Sequence, residues 1–209
     1  MDFLRIENRM KGMKNTSKKG FTLIELLIVI GILAILATAV ILILNPVELF
    51  KQARDSQRIS DLATMKSALA FYLSTVTGGS LGAAGTCYVY EPAGATIADC
   101  GGRHTASGFS KSAILLADGT GWMPVDFDDV PGGSPLSVLP RDPQASKGKF
   151  YSYVANSLAG IFEMNADMES CRYSGSKPEC AATPDDVESV DGGDKPDIYE
   201  VGNAPGLKL

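Results

Sequence analysis

Histidine and tryptophan are nearly missing from this chain: His104 and Trp122 are the only ones. No Cys-x-x-Cys pair occurs, so with a single histidine a zinc centre lacks ligands. A Ser/His/Asp catalytic set would have to use His104, which stands in a Gly/Ser-rich stretch with no nucleophile motif and reads as a surface side chain. The chain also lacks a P-loop, a dinucleotide fingerprint and a metalloprotease motif. There is no internal repeat and no long low-complexity tail. These absences argue against an enzyme and against a bound cofactor, and no catalytic residue is assigned.

Ionisable side chains are missing as well from Phe21 to Leu44, a run of 24 residues in which Glu25 is the one exception. Roughly 20 apolar residues suffice to cross a bilayer as a helix. A carboxylate one turn into such a run is costly in lipid and needs a partner.

Charge is divided sharply along the chain. Before the apolar run stand Arg5, Arg9, Lys11, Lys14, Lys18 and Lys19 against only Asp2 and Glu7. By the positive-inside rule this end stays cytoplasmic and the remainder is translocated. From Thr77 onward there are nine Lys/Arg and eighteen Asp/Glu, a balance of −9. Nucleic-acid affinity rests on neutralising phosphates with Lys and Arg, so direct nucleic-acid binding is not expected of this acidic region.

The segment Lys18-Lys19-Gly20-Phe21-Thr22-Leu23-Ile24-Glu25, continued by the apolar run, resembles the N-terminal segment of type IV pilins and the related pseudopilins of type II secretion systems. Shorter stretches, Gly121–Val125, Leu139–Pro143 and Tyr199–Gly202, resemble recurrent pilin-head segments. The resemblance implies cleavage between Gly20 and Phe21 by a prepilin peptidase/methyltransferase and N-methylation of Phe21. It implies assembly through Phe21 and Glu25, with an assembly platform and other pilins as partners. The chain would begin as a single-pass precursor in the cytoplasmic membrane and end in a helical, self-associated surface filament. A type II secretion pseudopilin is the nearest alternative, and a membrane-tethered extracytoplasmic binding protein is the alternative from another class. The sequence departs from the family in one respect. Many pilins carry a proline one turn earlier than Pro46, where this chain has Leu42.

Elementary patterning predicts an α+β fold: a long N-terminal helix, apolar in its first half and amphipathic in its second, packed against a small antiparallel β-sheet head. Leu62, Met65, Leu69, Tyr72 and Val76 recur at helical spacing as one apolar stripe. Glu48, Lys51, Arg54, Asp55, Arg58, Asp61 and Lys66 supply mixed charge around it, with Arg58 and Asp61 placed to pair. One helix is therefore expected from Phe21 to about Thr75, with a kink at Pro46. The division is a leader over 1–20, a helix over 21–76 with a transmembrane and polymerisation segment at 21–44, and a head over 77–209. Strands are expected at Cys87–Tyr90, Phe150–Ala155, Gly160–Ala166 and Asp197–Val201. The second and third of these read as a hairpin, and Lys111–Ala117 reads as either a helical turn or a strand.

Cys87, Cys100, Cys171 and Cys180 all lie in the translocated part, where an even number reads as two disulfides. Of three connectivities, Cys87–Cys100 with Cys171–Cys180 is preferred, because each closes a short loop of small residues. Free thiols are the other reading. Asp191, Asp194 and Asp197 sit close together in a glycine-containing loop ahead of Glu200. Calcium favours such oxygen ligands, and some major pseudopilins hold calcium in a C-terminal loop. A solvated acidic turn is the competing reading. Asp126, Asp128 and Asp129 read as a soluble strand end.

Overall fold

A computed structural model describes residues 20–91, 100–104, 106–178, 180 and 186–207. The expected leader, apart from Gly20, lies outside the described residues. The chain divides into two compact units, Met1–Asn45 and Pro46–Leu209. The amphipathic helix thus belongs with the head.

In the first unit, α1 runs over Leu23–Leu44. Thr22 caps it: its Oγ1 accepts from Glu25 N, and the Glu25 carboxylate returns to Thr22 N. That reciprocal arrangement satisfies donors that every helix start leaves unpaired. The helix ends where Asn45 turns left-handed, at φ 40°.

The second unit opens with α2, Pro46–Thr75. The single helix expected from Phe21 to Thr75 is therefore two. Proline has no N–H, and its ring disfavours the α conformation for the residue before it. Asn45 takes the left-handed region that asparagine tolerates better than most residues. Pro46 then occupies a first helical position, where its missing donor costs nothing.

Five strands follow: β1 Thr86–Tyr90, β2 Gly108–Ser112, β3 Ser152–Asn156, β4 Ile161–Ala166 and β5 Tyr199–Gly202. Their order across the sheet is β2-β1-β3-β4-β5. The β3–β4 hairpin forms as expected, and β5 adds an antiparallel edge. The sheet is mixed, however, because β1 and β2 are parallel. A parallel neighbour needs a connection of about a dozen residues or more, and residues 91–107 are long enough to carry the chain back to the starting end. β2 also ends at Ser112, so most of the segment read as a helical turn or strand is neither.

Alternation along β3 and β4 separates two faces. Tyr153, Ala155, Phe162, Met164 and Ala166 join Leu62, Met65, Leu69 and Tyr72 of α2 in the main core. Each such large apolar side chain contributes roughly 1.5–3 kcal/mol when fully buried. Trp122 enters the same core and satisfies its ring N–H on Pro140 O at 3.0 Å. Gly121 beside it has to be glycine. A Cβ there would lie 2.1 Å from Leu116 O and 2.6 Å from Leu139 Cδ1. The opposite face of the sheet carries a smaller cluster, Cys87, Val89 and Cys100, with Phe150 against it.

The buried stripe of α2 extends further than its apolar residues. Asp55 and Arg58 continue it toward the helix start and are wholly closed to solvent.

Candidate functional site

Gly20 and Phe21 lie ahead of α1, with open space around Gly20 and Phe21 89% exposed. Beyond them, α1 is long and apolar enough to cross a membrane by length and composition. Its large side chains are open among the described residues: Leu23, Ile24, Ile35 and Ile41 are all more than 60% exposed. Gly31 leaves a bare patch on the helix surface, with no atom within 4 Å of where a Cβ would stand.

Glu25 Oε2 accepts from Thr22 N at 2.8 Å and from Thr22 Oγ1 at 2.7 Å. The one acid of the apolar run is therefore held by its own helix start, next to the Gly20–Phe21 bond. Pro46 stands at the α1–α2 break.

In the head, Cys87 is bonded to Cys100 and Cys171 to Cys180. The second bridge opens a segment seated on α2. Asp55 accepts the backbone N–H of Glu169 at 3.0 Å and of Ser170 at 2.7 Å, and Glu48 accepts that of Cys171 at 2.6 Å. Three consecutive donors are met by two carboxylates of one helix.

Arg58 lies at the centre of this seat. Its Nη1 donates to Asp55 at 2.7 Å, its Nε and Nη2 donate to Asp142 at 2.7 and 2.9 Å, and Nη2 also reaches Glu169. The expected Arg58–Asp61 pair does not form. Asp61 accepts instead from Tyr151 Oη at 2.9 Å. Burial works against the Arg58 charge, but Asp142 and Glu169 outweigh it and hold the guanidinium more firmly protonated than usual. Burial likewise opposes the Glu169 charge, and hydrogen bonds from Arg54 and Arg58 prevail, holding its carboxyl below the ordinary range. The residue type of Arg58 and the mixed charge around it read as those of a solvated arginine. Its position on the buried stripe, one turn before Leu62, is the signal that could have found it.

His104 is likewise not a surface residue. Its side chain is fully buried, with Nδ1 3.0 Å from Glu163 Oε1 and Nε2 3.0 Å from Ser152 Oγ. The chain Ser–His–Glu has the connectivity of a nucleophile, base and orienting carboxylate. Ser152, however, is closed to solvent on the central strand β3, paired on both sides. In this fold the set ties the 100–104 segment to the sheet. Arg103 completes that tie, stacked 4.0 Å over the Phe150 ring and donating to Phe150 O. Burial lowers its pKa to about 10.

Asp191, Asp194 and Asp197 are not gathered around a common point. Among the described residues no group of three or more His, Cys, Asp or Glu side chains is placed to hold a metal ion. Asp191 instead accepts from Gly193 N at 2.8 Å and from Glu200 N at 2.6 Å, folding the loop back on itself. Asp126 likewise serves a turn, accepting from Asp128 N.

Residues 15–41 match the family model described as the prokaryotic N-terminal methylation motif. That motif is the prepilin-type segment of type IV pilins and pseudopilins, to which this stretch is similar. The match covers the start of the chain and does not reach α2 or the head. No curated protein and no solved structure matches the chain.

Proposed function

We propose that this chain is a non-enzymatic subunit of a type IV pilus-like surface filament. It is made as a membrane-anchored precursor, cut between Gly20 and Phe21, methylated at the Phe21 amine and assembled through residues 21–44. One observation carries the reading: the methylation motif coincides with a helix whose apolar side chains are open all round. Burying one such side chain is worth roughly 1.5–3 kcal/mol, so α1 has to be covered either by lipid or by other copies of itself. Its 22 residues, at a rise of about 1.5 Å each, match a hydrocarbon core of about 30 Å. The membrane serves the precursor, and a bundle of identical helices serves the filament.

Glu25 then sets register. Cleavage gives Phe21 a cationic amine, and a carboxylate or ammonium left alone in an apolar bundle is costly. Glu25 of one subunit and the Phe21 amine of another have reason to meet. Packings that leave either charge alone are rejected. The two disulfides suit a head on the oxidising side of the membrane, where a surface filament and the alternative, a type II secretion pseudopilus, would both stand.

Mass spectrometry of the mature chain should find it beginning at Phe21 with one added methyl group. The Glu25→Ala precursor should still be cut yet fail to enter sheared surface filaments. A mature chain beginning at Met1 overturns the processing, and normal filaments from Glu25→Ala overturn the register role.

A further inference from the structure

The outer face of the sheet carries a row of polar side chains where an apolar surface is the usual solution. Ser152 of β3, Asn165 of β4 and Glu200 of β5 stand directly opposite one another in register. All three are closed to solvent. Glu163 shares their face two residues along β4. Two oxygen atoms in this row meet no hydrogen-bond donor among the described residues: Asn165 Oδ1 and Glu200 Oε1. They belong to cross-strand partners, whose Cβ atoms in an antiparallel pair lie about 4.5–5.5 Å apart. A buried acceptor without a donor costs about 1–3 kcal/mol.

We propose that Glu200 stands in the folded head as a neutral carboxylic acid, its Oε1–H donating to Asn165 Oδ1 across the β4–β5 pair, and that this proton clasps the C-terminal segment to the sheet. A single proton satisfies both orphaned oxygens. The neighbouring hydrogen bonds assign it to Glu200 by elimination. Glu163 is complete as a carboxylate, with Oε1 on His104 Nδ1 and Oε2 accepting from Leu207 N at 2.5 Å. Asp191 is complete too, with one oxygen on Gly193 N and the other on Glu200 N. Of these three carboxylates only Glu200 has one oxygen engaged, Oε2 on Lys195 N at 3.0 Å, and the other bare. The Asn165 amide leaves Oδ1 open to such a donor, since its Nδ2 donates to Arg103 O at 3.4 Å and lies 3.5 Å from His104 Nδ1.

The surrounding charges act in the same sense. Burial is the main influence on Glu200; the Lys195 N–H opposes it, and Glu163, Asp191 and Asp194 add to it, so the carboxyl is pushed up to about 7. Glu163 faces it from β4 and Asp191, Asp194 and Lys195 from the 186–195 loop. His104 and Arg103 approach the Asn165 end, and Lys66 of α2 lines the same cavity of about 390 Å³ as Glu200. Gly193 is part of the device: a Cβ there would fall 1.6 Å from Glu200 Oε2, so only glycine lets the loop close over the acid. The clasp holds Lys195, Glu200 and Leu207 through one polar layer. It is complete in mildly acidic medium and opens as the proton leaves above neutrality.

The linkage has a definite sign. A carboxyl whose folded pKa is raised binds its proton in the folded head after the unfolded chain has lost it, so stability falls as pH rises toward and through about 7. The test uses the full chain in detergent micelles. Carbonyl NMR of glutamate-labelled protein should place the Glu200 midpoint near about 7. Thermal unfolding should show a midpoint that drops by several degrees from about pH 5 to about pH 8.5 in the wild type, with most of that drop abolished in Glu200→Gln, whose amide donates permanently to Asn165. A Glu200 midpoint in the ordinary carboxylate range overturns the proposal, as does a Glu200→Gln chain with the pH slope of the wild type. Should that variant fail to fold, the NMR midpoint alone decides.

Discussion

Arg58 and Asp142 meet through two hydrogen bonds, Nε to Oδ2 at 2.7 Å and Nη2 to Oδ1 at 2.9 Å, with both side chains shut away from water. The pairing joins α2 to the turn before Ala145, residues 84 apart in the chain. Through Asp55 and Glu169 the same arginine also holds the segment leading into the Cys171–Cys180 bridge. A charge in the apolar stripe of a helix is tolerated because each carboxylate it faces has further donors, Glu169 N and Ser170 N for Asp55, Gln144 N for Asp142 and Arg54 for Glu169.

Arg58→Ala should therefore cost far more than an exposed arginine would. Removing one partner of a buried ionic set typically costs about 3–5 kcal/mol, because the remaining charges are left uncompensated. Arg58→Lys should recover only part of the loss, since an ammonium cannot reproduce the two-point pairing with Asp142. Denaturant unfolding of the full chain in micelles measures both.

Glu169 predicts an acid limit. Its carboxyl is held below the ordinary range, so its contribution is complete above the unfolded-chain value and disappears as pH falls through the folded one. Stability should decline from about pH 5 downward, and Glu169→Gln should be less stable at neutrality but less sensitive to acid. Denaturant midpoints across that range provide the check. This acid limit and the loosening at Glu200 are separable, because the first grows as pH falls and the second as pH rises toward and through about 7.

Replacing Cys171 and Cys180 together by serine should lower stability by about 2–4 kcal/mol, the usual worth of a disulfide. The loss should be felt locally as well. The amides of Glu169, Ser170 and Cys171, which Asp55 and Glu48 accept, should lose hydrogen-exchange protection more than those of β3. Uniform loss across the head would show that the bridge does not specifically seat this segment.

Thr22→Val keeps the shape of the side chain and removes the hydroxyl that accepts from Glu25 N. Loss of such a cap costs about 0.5–2 kcal/mol, confined to the first turn. Exchange at the Glu25 amide in micelles should quicken while the centre of α1 is unchanged. The cleavage proposed between Gly20 and Phe21 should persist in this variant, which leaves both residues unchanged.

Some features were legible in short stretches of sequence. The apolar run and the lone Glu25 are properties of composition. The apolar stripe of α2 follows from a 3.6-residue period, and the β3–β4 hairpin from alternation across a short turn. The break at Asn45 was half legible: Pro46 announced an interruption, yet a kink and two separate helices share that signal until the preceding residue's conformation is known.

By itself the sequence determined where the chain is greasy, where it is charged and which segments repeat at helical or strand spacing, because those depend on neighbours a few residues apart. Only tertiary structure decided that Arg58 and His104 are interior, that β2 lies parallel to β1, and that Asp191 serves a turn and not a common site with Asp194 and Asp197. The physical reason is the same in each case. Whether a polar group can be buried depends on partners brought in from distant segments, Asp142 for Arg58, Glu163 and Ser152 for His104, Asn165 for Glu200, and no local pattern encodes who those partners will be.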